Sequence, residues 1–112
     1  MKKIEIIIKA EKLEELKDEL TNCGISGMMI TNIMGFGTQK GYTPMYRGSH
    51  TAVNLLPKLK VETVVADNIA QKVIDVAVKV NKTGNMGDGK IFIYDVEDAV
   101  RVRTGETGND AI

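Results

Sequence analysis

The chain is 112 residues long, the size of one ordinary domain, and its 15 Lys and Arg residues balance its 15 Asp and Glu residues. A net charge of zero provides no overall field that would attract nucleic acid or a membrane surface. No apolar run approaches the roughly 20 residues that span a bilayer. The single cysteine, Cys23, excludes an internal disulfide and suits a reducing compartment. These features predict a cytoplasmic protein.

The first third of the chain alternates between strand and helix patterns. Four isoleucines among charged residues in KKIEIIIKA (2–10) predict a buried strand, and Glu5 and Lys9 argue against a signal peptide. Leucines at helical spacing among Glu and Lys predict a helix from about Glu11 to Cys23. The apolar segment from Met28 to Phe36 predicts a second strand.

Residues 37–55 show no sustained helix or strand period and contain Gly37, Gly41, Pro44 and Gly48. A segment of this length without secondary structure is uncommon inside a compact domain and is usually functional or mobile. The sequence therefore predicts one long loop in the middle of the chain.

The second half repeats the strand–helix–strand pattern. KLKVETVVA (58–66) predicts a third strand, and Asp67 is the predicted N-cap of a helix with an apolar face. A glycine-rich turn from Thr83 to Lys90 leads into IFIYDVEDAV (91–100), which predicts a fourth strand and a following turn before the polar tail. The predicted order is β-α-β-β-α-β, an α+β domain with the ferredoxin-like arrangement.

Both faces of the predicted sheet receive apolar residues, because side chains alternate between the two faces of a strand. Ile7, Val64, Phe92 and Tyr94 fall on the sides opposite to their apolar neighbours along each strand. Two helices cover only one face, and a solvated sheet face disfavours apolar residues. The pattern therefore predicts self-association over the second face.

Gly87-Asp88-Gly89-Lys90 is the first candidate for ligand chemistry. Glycines let successive backbone N–H groups converge on an anion, and a lysine adds a positive charge, but the same residues also fit an ordinary tight turn. Arg101 and Arg103, two residues apart in a segment predicted to be extended, would form a fork for phosphate oxygens. The alternative for the arginines is a solvent-exposed charge pair on an edge strand.

The segment from Gly35 to Gly41 and the third strand supply further candidates. Gly35 and Gly37 permit close approach of a flat ligand, and Gln39 offers a neutral oxygen to a metal or ligand, although a loop hinge is the alternative reading. Lys58 and Lys60 alternate with Glu62 on the third strand. One lysine is therefore expected in a structural pair, and Lys58 is the candidate for a ligand carboxylate.

Residues arranged for catalysis are not evident. The only histidine, His50, falls in the long loop, and Cys23 at a helix end is typical of a small core residue. Ligand spacing of the zinc type is absent. The sequence therefore predicts a binding protein rather than an enzyme.

Four segments of the chain, in this order, resemble the PII nitrogen-regulatory signalling family. They are GFGTQKGYTPMYRG (35–48), LPKLKVE (56–62), TGNMGDGKIF (83–92) and RVRTGETGNDAI (101–112). The resemblance covers essentially the whole chain and implies a single PII-type domain over 1–112 in a homotrimer of ferredoxin-like subunits. It makes 37–55 the effector loop, 83–90 the phosphate loop and 101–112 the C-terminal loop.

The same resemblance implies that clefts between subunits bind ATP or ADP and, with Mg-ATP, also 2-oxoglutarate. The nucleotide contacts that it implies are Ile7, Met29, Gly35, Gly37, Thr38, Glu62, Val64, Gly87, Asp88, Gly89, Lys90, Arg101 and Arg103. The 2-oxoglutarate contacts are Gly37, Thr38, Gln39, Lys40, Gly41 and Lys58, with Gln39 also contacting Mg²⁺. A shared divalent cation would make the two anionic ligands bind interdependently, because without it they repel one another.

The chain departs from the family pattern at four positions. Thr51 stands where many bacterial relatives carry a uridylylated tyrosine, so no modification is expected there, and Ser49 takes a place phosphorylated in some cyanobacterial relatives. Thr38 replaces an arginine that reaches the phosphates, which leaves the preference between ATP and ADP open. Met29 replaces a threonine near the ribose.

The resemblance implies a non-enzymatic transducer with protein partners. The loop would act on an ammonium-channel protein or on an enzyme or regulator of nitrogen assimilation, and membrane association would occur only through such a partner. Nucleic acid is not an expected partner. Two alternatives remain: a divergent PII-like sensor of another small molecule, and a slow nucleotide hydrolase.

Overall fold

The computed structural model describes residues 1–36 and 55–112, which form four strands and two α-helices in the order β-α-β-β-α-β. The strands are β1 (Lys2–Ile8), β2 (Met29–Gly35), β3 (Leu56–Val65) and β4 (Lys90–Asp95), and the helices are α1 (Leu13–Asn22) and α2 (Asp67–Asn81). Short 3₁₀ turns occur at Ala10–Lys12 and Gly108–Ala111. The predicted α+β class is confirmed. The loop predicted over 37–55 lies outside the described residues, except for Leu55.

The four strands form one sheet in the order β2-β3-β1-β4, and each neighbouring pair is antiparallel. Ile6, at the centre of β1, lies opposite Val61 on β3 and Ile91 on β4. The hydrophobic core lies between the helices and one face of the sheet, where burying each large aliphatic side chain contributes roughly 1.5–3 kcal/mol. Its fully buried members include Ile4, Ile6, Ile8, Leu16, Leu20, Val61 and Val73.

Several predicted boundaries differ from the structure. The helix predicted from Glu11 begins as a 3₁₀ turn, and β3 begins at Leu56 rather than Lys58 because Pro57, close to the start of the strand, is compatible with pairing there. The prediction that Asp67 is an N-cap is wrong. Ala66 is the cap residue, with extended backbone, and Asp67 lies in the first turn, where its carboxylate is 2.9 Å from the amino group of Met1.

The sheet face opposite the helices, here called the open face, is less apolar than the sequence pattern predicted. Its centre holds Lys3 and Glu5 on β1 and Lys60 and Glu62 on β3, all partly buried. The sequence pattern predicted apolar residues on this face, and Ile7, Val64, Phe92 and Tyr94 do lie there. Only the strand register shows that the four charged residues meet at its centre. Apolar side chains such as Phe92 lie around that centre.

Opposite charges on the open face compensate one another. Lys3 Nζ lies 3.3 Å from a Glu62 carboxylate oxygen, and Lys60 Nζ lies 4.0 Å from both Glu5 and Glu62. Tyr94 donates its hydroxyl hydrogen to Glu5 at 3.1 Å, and Lys3 Nζ stands 4.5 Å from the centre of the Tyr94 ring. The result is a closed network of charged and aromatic side chains.

Within residues 1–36 and 55–112, neither helix is long and apolar enough to cross a membrane.

Candidate nucleotide-binding site

The turn between α2 and β4 is closed by the carboxylate of Asp88. That carboxylate accepts hydrogen bonds from the backbone N–H groups of Thr83, at 2.8 Å, and Gly84, at 2.9 Å, and from the Thr83 hydroxyl. The hydrogen bond from the Thr83 hydroxyl, and to a smaller extent that from its backbone N–H, holds the pKa of Asp88 below its ordinary value. Asp88, a predicted nucleotide contact, therefore makes its hydrogen bonds within the turn and holds the backbone around it.

Two glycines of this turn adopt backbone conformations that other residues rarely take. Gly87 has φ +95° and Gly89 has φ +104°. A side chain on Gly89 would overlap the carbonyl oxygen of Ile7 in β1, so the turn lies directly against that strand. The sequence left open whether Gly87–Lys90 is a tight turn or an anion cradle, and the observed geometry suits both.

Lysines gather around Gly87. Lys58 donates a hydrogen bond from Nζ to the carbonyl oxygen of Gly87 at 2.7 Å. A Cβ placed on Gly87 would lie 3.7 Å from Lys58 Nζ and 3.8 Å from Lys9 Cε. Lys90, at the other end of the turn, begins β4 opposite Ile7. In the described part of the chain, none of these three lysines forms an ion pair.

The structure shows which of Lys58 and Lys60 is in an ion pair, a point that the sequence left open. Lys60 is paired with Glu5 and Glu62 on the open face, whereas Lys58, two residues earlier on the same face of β3, reaches the Gly87 turn. Sequence reasoning missed Lys9 altogether. No local signal marks it, because its proximity to Gly87 depends on how the turn packs beside the end of β1.

The tail arginines lie in a compact turn rather than the extended segment that the sequence predicted. The Gly105 N–H donates to the Arg101 carbonyl at 2.7 Å, and the Arg101 N–H donates to the Glu106 carbonyl at 2.8 Å. Gly105 has φ +77°, which lets the chain reverse there. The Arg101 guanidinium also contacts the Glu106 carboxylate at 3.1 Å, while Arg103 is exposed, so the two arginines do not project as a strand fork.

The predicted nucleotide contacts that the structure describes are spread across the sheet and the tail. Ile7 and the Gly87–Lys90 turn lie together at one end of β1 and β4. Gly35 and Met29 are on β2, the edge strand opposite to that of Lys90, three strand spacings or about 14 Å away. The tail that carries Arg101 and Arg103 follows Asp95, which is five residue steps of β4, about 17 Å, from Lys90.

The remaining predicted site residues cannot be placed. Gly37, Thr38, Gln39, Lys40 and Gly41, together with Ser49 and Thr51, lie outside the described residues. Across residues 1–36 and 55–112, no three His, Cys, Asp or Glu side chains come together in a way that could hold a metal ion.

An apolar groove of about 340 Å³ runs beside the turn, between α2 and β4. Ile74 and Val78 of α2 and Ile91 and Ile93 of β4 line it, and so do Gly89 and Lys90 of the turn. Ile93 remains 52% exposed although it faces the helix side, because β4 is an edge strand. The chain therefore presents both a glycine turn that could accept an anion and an uncovered apolar edge.

These features define a small α+β protein with a glycine turn suited to anion binding. The profile of the family described as "Nitrogen regulatory protein P-II" matches residues 1–106. The chain belongs to this P-II family.

Full-length relatives and solved structures agree with that assignment. The chain is 53% identical to a nitrogen regulatory protein P-II of Rhizobium meliloti and 51% identical to one of Haemophilus influenzae, in each case over all 112 residues of both chains. The structure of B. subtilis GlnK superposes with a TM-score of 0.84 at 39% identity, covering 99% of this chain and 97% of that one. A B. subtilis GlnK–ATP complex superposes with a TM-score of 0.83 at 35% identity, covering 99% and 96%.

Proposed function

We propose that this protein is a non-enzymatic nitrogen-regulatory signal transducer. Three ferredoxin-like subunits form a homotrimer whose intersubunit clefts bind ATP or ADP. The observation that carries the proposal is the spread of the predicted nucleotide contacts over one subunit, in which Lys90 and Met29 lie on opposite edge strands about 14 Å apart. A cleft between subunits would bring the Gly87–Lys90 turn of one subunit to contacts of its neighbour and so complete one nucleotide site.

The uncovered apolar surface supports assembly. Ile93 and Val78 beside the groove are 52% and 47% exposed, and Val100 and Val102 of the tail are 62% and 99% exposed. Apolar patches of this kind mark interfaces in soluble proteins. Burial of Val100 and Val102 would therefore favour packing of the tail, which carries Arg101 and Arg103, against a neighbouring subunit.

Nucleotide binding at the turn is supported by its chemistry and by a relative. Backbone N–H groups in a glycine turn, with lysines beside them that lack carboxylate partners, suit a phosphate chain. One similar structure is an ATP complex of B. subtilis GlnK. Arg101 and Arg103 of the neighbouring subunit would add charge-assisted hydrogen bonds to the phosphates.

The second ligand is 2-oxoglutarate, bound only in the presence of Mg-ATP. Lys58 next to Gly87 is available for its distal carboxylate. Mg²⁺ commonly takes most of its protein-site oxygens from phosphates and water, so Gln39 and the ligands would complete its coordination without a carboxylate cluster. The ion would supply charge neutralisation between the two ligands.

The output acts through the 37–55 loop. Ligand state shifts the population of loop conformations, and the loop regulates an ammonium-channel protein or an enzyme or regulator of nitrogen assimilation. The protein is cytoplasmic, reaches the membrane only through such a partner, and has no nucleic-acid role. Thr51 and Ser49 are not needed for this ligand control.

Calorimetric titration with ATP, ADP and 2-oxoglutarate, with and without Mg²⁺, tests the ligands, and native mass spectrometry tests the trimer. We expect nucleotide binding at one site per subunit and 2-oxoglutarate binding only with Mg-ATP. Absence of nucleotide binding by a verified trimer would refute the sensor function. Binding of 2-oxoglutarate without nucleotide would refute the shared-cation arrangement alone.

A further inference from the structure

Residues 98–108, here called the tail hairpin, form a small unit that is closed by its own hydrogen bonds. The Gly108 N–H donates to the Ala99 carbonyl at 3.0 Å. The Asp98 carboxylate accepts hydrogen bonds from the backbone N–H groups of Ala99, at 2.8 Å, and Gly108, at 3.0 Å, and so joins the two ends of the hairpin. The two tail arginines lie between these ends, so the hairpin carries them as one unit.

The tail hairpin is attached to the rest of the domain on both sides. Just before it, the Val96 N–H donates to the Met1 carbonyl at 3.1 Å. Just after it, the chain forms the 3₁₀ turn Gly108–Ala111, and Asn109 and Ile112 line a pocket of about 150 Å³. The position of the arginines relative to the sheet therefore depends on a backbone hydrogen bond and on the contact at this pocket.

The domain contributes mainly aliphatic side chains to the pocket. Ile25, after α1, and Ile69, near the start of α2, line it and pack against the hydrophobic core. Ile112 lines it from the tail and is partly buried, whereas Val100 and Val102 in the tail hairpin are exposed. Ile112 is therefore the large apolar residue of the tail that the domain covers.

The contact at the pocket is incomplete. Because an unfilled space of about 150 Å³ remains between the tail and the domain, Ile112 lacks part of the dispersion contacts that a closely packed side chain would make. Segments with few buried apolar contacts open locally at a small cost in free energy. The tail hairpin is therefore able to leave its anchored position while the domain stays folded.

We propose that Ile112 is a positioning residue, which anchors the tail hairpin and thereby controls how well Arg101 and Arg103 reach the phosphates of a nucleotide in the intersubunit cleft. This inference rests on the proposed nucleotide function. Only the anchored hairpin presents both arginines, so the apparent nucleotide affinity follows the anchored fraction. The coupling is reciprocal, because a nucleotide that contacts the arginines stabilises the anchored position by the same factor.

Calorimetric titration of the full chain with ATP tests the anchor through its effect on affinity. Ile112→Asn should weaken ATP binding about fivefold, because a polar amide beside Ile25 and Ile69 lowers the anchored fraction to roughly a fifth. Ile112→Val keeps an aliphatic side chain and should bind ATP within about twofold of the unaltered protein. Native mass spectrometry and a thermal melt verify that each variant is folded and assembled.

The matched control removes the arginines instead of the anchor. A chain with both Arg101→Met and Arg103→Met should bind ATP more weakly, and adding Ile112→Asn should cause no further loss, because the changes act through one contact. A fivefold loss from Ile112→Asn both with and without the arginines would show that Ile112 acts by another route and would overturn the inference. An ATP affinity that is insensitive to Ile112→Asn, or to loss of both arginines, would also overturn it.

Hydrogen exchange measures the anchor without a ligand. An isolated hairpin is only marginally stable in water, so the tail hairpin should exchange its amides faster in Ile112→Asn than in Ile112→Val or the unaltered protein. Equal exchange in all three would overturn the anchor. If the unaltered protein binds neither ATP nor ADP, the proposed function fails, and faster exchange in Ile112→Asn would still support anchoring of the tail hairpin by Ile112.

Discussion

The open face of the sheet and the Gly87 turn both have several lysines, but of these, in the described part of the chain, only the lysines at the centre of the open face form ion pairs. Lys3 and Lys60 are paired with Glu62 and Glu5 in a partly buried network. At the turn, Lys58 donates to a backbone carbonyl, and in the described part of the chain Lys9 and Lys90 form no ion pair. Paired charges stabilise the sheet, whereas lysines without ion pairs beside a glycine turn are suited to an incoming anion.

The largest effect is expected for Gly89→Ala, which tests whether the turn depends on its contact with β1. The new methyl group would overlap the Ile7 carbonyl, so we expect a loss of about 2–4 kcal/mol in the free energy of unfolding and a loss of nucleotide binding. Urea unfolding and calorimetry measure the two effects. Gly84→Ala is the control, because Gly84 also has positive φ, +86°, but no atom within 4 Å of the new group. The control should lose about 1 kcal/mol, and equal losses in both variants would contradict the close-contact explanation.

Lys58 and Lys60 of β3 allow ligand binding at the turn to be tested separately from stability of the open face. Lys58→Met should weaken 2-oxoglutarate binding about tenfold in the presence of Mg-ATP, because it removes a charge-assisted contact. Lys60→Met should leave that affinity nearly unchanged and lower the free energy of unfolding by about 1 kcal/mol, because Glu5 and Glu62 lose a partner. Calorimetry and urea unfolding of both variants check this. The reverse pattern would mean that the roles of the two regions are exchanged.

Acid should loosen the turn by protonating the Asp88 carboxylate. The folded-state pKa of Asp88 is lowered, so its stabilising contribution is fully present above the ordinary pKa of about 3.9 and is lost as pH falls through the lower folded value. Hydrogen exchange of the Thr83 and Gly84 amides should accelerate only below about pH 4 relative to the rest of the chain. Asp88→Asn should show faster exchange at neutral pH as well. Amides that are equally protected in both proteins at neutral pH would show that the carboxylate does not close the turn.

The smallest effect is expected for Tyr94→Phe on the open face. The change removes one exposed hydrogen bond to Glu5, so the free energy of unfolding should fall only slightly and nucleotide affinity should not change. That hydrogen bond, with desolvation, raises the pKa of the Tyr94 phenol. Ultraviolet titration should therefore lose its highest-pH component in the variant. A clear loss of ATP affinity would show that the open-face network reaches the ligand site.

Local pattern was sufficient for most of the secondary structure. Helix and strand periods are properties of neighbouring residues, so α2, β1 and β2 could be recognised within about two residues of their observed ends. The glycine turn was also predictable, because positive φ at Gly87 and Gly89 is a local requirement. The Asp67 cap was a local prediction that was wrong, because the helix already begins at Asp67, one residue earlier than a cap at that position requires.

The sequence by itself determined the order of elements, the glycine turn and the residue types available for a phosphate site. Only the tertiary structure decided which lysine is paired, that Lys9 reaches Gly87 and that charges occupy the centre of the open face. The reason is physical. Each of these facts depends on which strands become neighbours and in what register, and that is set by burial of the whole core between distant segments.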